Sequence, residues 1–384
     1  MGAVRLVLAL AVVVFHVCML KSAWWMTWIG GLGVRVWSFP GTSAVEVFFM
    51  ISGFFMAVVL STKYANTPVW VFYSSRFLRL YPTYLIVLLA SIALLPVLAQ
   101  GAEKTVFGFA YIFSDGHQWT ASEISLWLVT NIAILGKEIW FFNGAGFAEL
   151  FTGSDAAVLR GLHPYQIVGP AWSLSLELQF YVLAPFIIRA RTSIIVALCC
   201  ASAAIRTALL LAGYPFEPYV YYGLPAELCL FLLGVLSYRL FWDWGKKKPA
   251  KWGPRASAAV CALLVFYPYF SPEQDHHFVD WMKLIVFAVM FFTLPLLAKT
   301  TAVSAYDRFV GDLSYPAYLV HLPLAGALSV LLPRDLPDLV HILLAVILTV
   351  ALAALLVVFV ERPIERLRHA ISSRHAIRAL PAVI

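Results

Sequence analysis

Residues 1–20 read MGAVRLVLALAVVVFHVCML, an apolar run whose only basic side chains are Arg5 and His16. A guanidinium and an imidazole are costly in hydrocarbon, so inside a membrane-length segment they face a protein interior and mark function. Helical geometry sharpens the point. Eleven steps of 100° bring His16 to within about 20° of Arg5, and eleven rises of 1.5 Å separate the two by roughly 16 Å. One stripe of the first helix therefore presents a cation near one membrane surface and a proton acceptor near mid-depth.

The remaining chain extends this pattern. Its 384 residues are 62% hydrophobic and 12% charged, a composition that excludes an ordinary soluble domain. Continuous apolar segments, without alternation, imply helices rather than a barrel. The expected fold is an all-α, polytopic membrane helix bundle of about ten spans: Leu6–Leu20, Ser43–Leu60, Tyr81–Ala99, Ala171–Ile188, Ser193–Gly213, Leu224–Phe241, Ala256–Phe270, Trp281–Ala298, Leu313–Leu332 and Val340–Val360. We read it as a single domain, 1–384, closing in a short basic tail, 362–384.

Orientation follows from the connections. With the N-terminus cytoplasmic, 19 of the 27 Lys and Arg residues fall on the inner side, among them Arg5, Lys63, Arg76, Arg79, Lys299, Arg308, Arg362, Arg366 and Arg368. The outer side holds six, and Arg206 and Lys283 lie within spans. Both termini are thus expected inside, in a cytoplasmic (inner) membrane. The asymmetry accounts for the net charge of +7 without nucleic acid. The triple lysine 246–248 is a topology signal first and an anionic-lipid contact second. The stretch 101–170 is less regular. Thr105–Phe113 and Ser125–Leu135 are apolar but short, and one span there would invert every later loop. We read outer-face re-entrant or interfacial helices, with twelve spans as the alternative that keeps parity. The five cysteines, Cys18, Cys199, Cys200, Cys229 and Cys261, all fall in predicted spans and give neither a disulfide framework nor a metal spacing.

Several polar patterns interrupt the apolar background. In VEVFFMISGFFMA (45–57), Glu46 heads an apolar run as either a helix N-terminal charge or the partner of a buried cation, and Ser52-Gly53 permits close approach of a helix or ligand. In SSRFLRLYPTYL (74–85), Arg76 and Arg79 share a helix face ahead of a Tyr-Pro turn. They form a fork suited to phosphate, with positive-inside anchoring as the plainer reading. In PAWSLSLELQFYVLAPF (170–186), Trp172, Ser173, Ser175, Glu177, Gln179 and Tyr181 are too polar to face lipid. Glu177 lies at a depth similar to that of His16, so the two can meet; a structural helix–helix hydrogen bond is the other reading. GDLSYPAYLVHLPL (311–324) places His321 in a span, as ligand contact or packing residue. VFVERPIERLR (358–368) reads as a helix terminus at the cytoplasmic surface. The pair His276-His277 lacks a third spaced ligand, so no metal is expected.

Taken together and in this order, Arg5-x10-His16, FFMISGF, Arg76-x-x-Arg79, WSLSLELQFY, SYPAYLVH and the closing ERP resemble the acyltransferase-3 family of integral membrane acyltransferases. The resemblance runs from residue 5 to 363. It implies transfer of a short acyl group, usually acetyl, from acyl-CoA to hydroxyls of carbohydrates such as a surface polysaccharide or lipid-linked glycan, or less often of macrolides. Some members carry an SGNH-type esterase domain; a stand-alone member is expected here. Under this reading His16, Arg5 and Glu177 are the catalytic candidates, with His16 as general base, a role suited to an imidazole near neutral pH. Direct attack on the thioester and an acetyl-imidazole intermediate are both compatible. Arg76, Arg79 and Tyr81 are the candidates for holding acetyl-CoA, and Glu46, Trp172 and His321 for the acceptor. Outward-facing Trp24, Trp25, Trp28, Trp119 and Trp172 suit sugar stacking or an interfacial belt. The rival from another class is a transporter or exporter using the Arg, His and Glu residues as a relay, although no inverted hydropathy repeat is evident. A glycan-synthesis subunit that has lost catalysis is the third.

Overall fold

The computed structural model describes residues 1–20, 27–29, 32–34, 41–98, 120–141, 166–270, 281–333 and 335–368. Their architecture is an all-α bundle carrying one small antiparallel hairpin, β1 (Thr27–Ile29) with β2 (Leu32–Val34). The helices of eight or more residues are α1 (Gly2–Leu20), α2 (Gly41–Ser61), α3 (Val69–Ala93), α4 (Ala121–Ala133), α5 (Trp172–Ile187), α6 (Thr192–Leu211), α7 (Leu224–Lys247), α8 (Trp252–Phe270), α9 (Trp281–Val303), α10 (Ala305–Asp312), α11 (Ser314–Leu331) and α12 (Asp338–Leu356). Each of the ten expected spans falls on one of them. Seven stretches among the described residues are long and apolar enough to cross a membrane: 41–61, 69–93, 192–211, 224–247, 282–303, 305–331 and 338–368.

The differences from expectation lie at helix ends and one turn. Helix α3 begins at Val69, behind Pro68, and runs straight through Tyr81 and Pro82, so the Tyr-Pro step is helix interior and not a turn. Proline removes one donor, and bundle neighbours re-satisfy such gaps; Arg76 and Arg79 consequently ride on early turns of a long helix. Likewise Glu361-Arg362-Pro363 does not end the last helix, which continues through a π turn, Val357–Glu361, to residue 368. The first residues of the expected basic tail are therefore helical, and 369–384 lie outside the described residues. Ser125–Leu135 becomes α4. Thr105–Phe113, Trp24, Trp25, Trp119, His276 and His277 lie outside the described residues.

Helix α2 is the hub. It packs on α1, α5, α7 and α9, and α11 packs on α1, α3 and α12. Apolar contact between helices gains little over contact with lipid tails, so close fit and polar links must hold such a bundle. Helices α2 and α7 meet through paired glycines. A Cβ on Gly53 would stand 1.9 Å from the Phe231 carbonyl oxygen, and one on Gly234 would stand 2.0 Å from that of Met50. The approach lets Phe231 stack on Phe49 at 4.6 Å and on Phe180 of α5 at 4.4 Å between centroids, pairs worth about 0.5–1.5 kcal/mol each. Peripheral α6 and α12 expose Ile194, Ile205, Leu343 and Ile347, the side chains a bilayer would cover.

Candidate active site

The bundle encloses a cavity of about 940 Å³. Arg5 of α1, Arg76 and Arg79 of α3, and Glu177 of α5 all line it. So do Lys63, Arg308, Arg362, Arg366 and Arg368, giving eight basic side chains against three carboxylates, Glu177, Asp312 and Glu365. These cations stand at the end of α2, the start of α1 and α3, the α9–α10 junction and the end of the last helix. All belong to segments that the charge asymmetry assigns to the cytoplasmic side. Neither Arg5 nor Arg79 closes a salt bridge among the described residues. Arg76 is 7% exposed, and its Nε is buried without a hydrogen-bond partner. An orphaned guanidinium N–H is the donor that an anionic oxygen satisfies.

A carboxylate on a neighbouring helix fixes the start of α1. Asp307 of α10 accepts from the amides of Gly2 (2.9 Å) and Ala3 (3.0 Å), while Thr301 Oγ1 donates to it at 2.6 Å. An acidic cap supplied from outside the helix satisfies amides that have no intrahelical partner and complements the helix dipole. It also holds Arg5, one turn on, at the cavity wall.

Away from the basic end, the wall is formed by Val45, Phe48, Phe49 and Phe55 of α2, with Tyr315 and Tyr318 of α11. Glu177 accepts from Ser52 Oγ at 2.6 Å and from the Tyr181 hydroxyl. Ser173 Oγ and the Tyr318 hydroxyl lie 2.8 Å apart, and the Tyr315 hydroxyl donates to the Leu80 carbonyl at 2.6 Å. This wall is largely aromatic and aliphatic, with fixed hydroxyls and one carboxylate.

His16 is not on the wall. Its Nδ1 lies 2.9 Å from the Val12 carbonyl oxygen and 3.3 Å from His321 Nε2, and the two imidazole centroids are 5.0 Å apart. His321, 1% exposed, therefore neighbours His16 rather than the cavity. Glu177 and His16 do not meet: similar depth did not bring them to the same side, because α1 packs on α2 and α11 while α5 packs on α2, α3 and α7, and Ser52 and Tyr181 already hold the carboxylate.

Three other candidates also stand apart. Tyr81 turns away from the cavity and stacks on Phe77 at 4.6 Å. Trp172, 7% exposed, packs edge-on against Tyr221 (4.6 Å) and Tyr222 (4.4 Å). Glu46 is wholly buried and ion-paired with both Arg206 and Lys283; Arg206 also binds Glu227 at 2.5 Å. Of the two readings of Glu46, the structure shows the partner of buried cations. Intramembrane Arg206 and Lys283 were themselves the available signal, since a charge in a span demands a counterion. Sequence reasoning also filed Arg308, Arg362, Arg366 and Arg368 under topology, although the structure puts them on the cavity wall. No group of three or more potential metal ligands occurs among the described residues.

Fold and cavity define a multi-pass membrane helix bundle with a chamber lined mainly by basic side chains at one face. The family model for this acyltransferase domain matches residues 1–358, so the chain belongs to the acyltransferase-3 family. It is 24% identical over 359 aligned residues to YrhL of Bacillus subtilis (strain 168), named "Putative peptidoglycan O-acetyltransferase", covering 86% of this chain and 51% of that protein. To the peptidoglycan O-acetyltransferase OatA of Listeria monocytogenes serovar 1/2a (strain ATCC BAA-679 / EGD-e) it is 23% identical over 358 residues, covering 86% and 52%. The chain thus spans about half the length of the curated relatives it matches. No solved structure matches it.

Proposed function

We propose that this chain transfers a short acyl group, most simply acetyl, from acyl-CoA to a hydroxyl of a carbohydrate such as a surface polysaccharide or lipid-linked glycan at the cytoplasmic membrane. The cavity carries this reading. Its basic excess suits a donor with several phosphates, and the unpartnered Arg76 Nε is an atom that a phosphate oxygen would satisfy. Arg5, Arg76 and Arg79 would hold the phosphates. The wall of Phe48 and Phe49 suits a thin pantetheine arm, whose amide N–H groups would donate to Glu177. That role replaces the expected contact of Glu177 with His16.

With the thioester carried past the described cavity wall to reach it, His16 would take the acceptor hydroxyl's proton on Nε2 as the oxygen attacks the thioester carbonyl. A C–O bond forms, the C–S bond breaks, and the sulfur leaves with a proton as the CoA thiol. Both relatives are named for acetylation of a glycan, which supports a carbohydrate acceptor. The test is purified protein in lipid nanodiscs with acetyl-CoA and glycan oligosaccharides. It should release CoA thiol and add one acetyl mass per modified sugar. His16→Ala should abolish both at unchanged membrane abundance, whereas undiminished turnover would remove His16 from the chemistry. Absence of any CoA-dependent release, with solute uptake intact, would favour the transport reading.

A further inference from the structure

The hydrogen-bond partners of the two facing imidazoles fix their tautomers. His321 Nδ1 lies 2.8 Å from the Tyr318 carbonyl oxygen, and His16 Nδ1 lies 2.9 Å from that of Val12. A carbonyl oxygen only accepts, so each neutral ring carries its proton on Nδ1. His321 Nε2 is then a bare lone pair, and it sits 3.3 Å from the His16 Nδ1–H. That proton is shared between Val12 and His321, and the one basic nitrogen left on His16 is Nε2.

From this we infer that His321 is a positioning residue: it holds His16 in the Nδ1–H form and shares the charge that appears when Nε2 gains a proton. In hydrolytic triads a carboxylate accepts this N–H. A neutral imidazole performs the same acceptance without placing a permanent anion among Val13, Val14, Ala325 and Leu328, the apolar cluster that packs α1 against α11. His321 itself is oriented by Tyr318, whose hydroxyl reaches Ser173 at the cavity wall. Backbone, His321 and His16 thus form a directional series ending at Nε2. His321 moves from the expected acceptor site to a place behind the base.

The inference rests on His16 being the base, and the test separates the two ideas. In protein labelled with ¹⁵N-histidine and reconstituted in lipid, the His16 signals are assigned by their loss in His16→Asn. They should show a protonated Nδ1 and an unprotonated Nε2, and His321→Phe should convert them to a tautomer mixture. In acyl transfer, His321→Phe should lower kcat by on the order of 10²-fold with the donor KM unchanged. His321→Gln, whose side-chain oxygen reaches the Nε2 position, should recover part of that loss, and His321→Asn should not. A wild-type spectrum with Nε2–H on His16, or wild-type kcat in His321→Phe, would overturn the assignment. Should His321→Phe fail to fold, the wild-type spectrum and the Gln/Asn pair still decide. Full turnover in His16→Ala, with the predicted spectrum intact in the wild type, would instead sink the base role and leave the tautomers standing.

Discussion

Near the start of α2, α7 and α9 and the end of α6, two carboxylates and two cations are matched one for one: Glu46 with Arg206 and Lys283, and Glu227 with Arg206. At the opposite ends of the bundle, eight basic side chains face three carboxylates and Arg76 keeps an unsatisfied N–H. Both groups of charges sit among apolar helices. The quartet pairs every one of its charges with an opposite charge, so we read it as part of the scaffold. The arginine-lined chamber carries an excess of positive charge, the feature on which the proposed binding of a polyanionic donor rests. Lys137, just beyond α4, shows a third solution. It is wholly buried with its Nζ donating to Asn131 Oδ1 at 2.8 Å, and burial pulls its ammonium down to about 7, so it can discharge.

Removing one member of the quartet should have the largest effect on the folded state. Glu46→Ala leaves Arg206 and Lys283 short of a counterion and should cost about 3–5 kcal/mol, read as a fall in melting temperature in detergent and in folded yield. Replacing the whole quartet, with Glu46→Leu, Glu227→Leu, Arg206→Met and Lys283→Met together, should recover most of that loss. A Glu46→Ala protein melting with the wild type would erase the contrast. The chamber should respond with the opposite profile. Arg76→Ala with Arg79→Ala should raise the acyl-CoA KM by about 10²-fold, the value of two charge-assisted hydrogen bonds, while the unliganded protein melts at or above the wild-type temperature because like charges are relieved. An unchanged KM would return the pair to topology.

The last prediction concerns Lys137. Its ordinary value is 10.5 and its folded value about 7, so between those pH values the unfolded chain binds more protons. Stability therefore rises with pH across that window, and the burial penalty is fully present below 7. The melting-temperature advantage of Lys137→Met over the wild type should shrink as pH climbs from 7 toward 10. A difference independent of pH would mean that the lysine is not discharged.

Helix positions were legible in sequence because an apolar run of membrane length has few alternatives: each of the ten predicted spans fell on a helix, and seven stretches among the described residues are long and apolar enough to cross a membrane. Arg5, Arg76, Arg79 and Glu177 were legible as polar residues out of place, and the fold brings all four to one cavity. Which polar residues touch was not legible. Depth along a span can be counted, but the side of the bundle is set by tertiary packing, so Glu177 and His16, expected at similar depth, keep different partners. The cavity arginines 362–368 were hidden for a different reason. Basic residues flanking a final span serve topology in any membrane protein, and only the continuation of the last helix past Pro363 turns them inward.

The contact between Gly53 and α7 acquires its meaning from what else α2 carries. Glu46 lies two turns before that bare backbone point and Ser52 immediately beside it, so the scaffold's ion pairing and the grip on Glu177 are geared to one interhelical spacing. Any added carbon there would wedge two rods apart and disengage both mechanisms together. Position 53, with no chemistry of its own, is the fulcrum of the molecule.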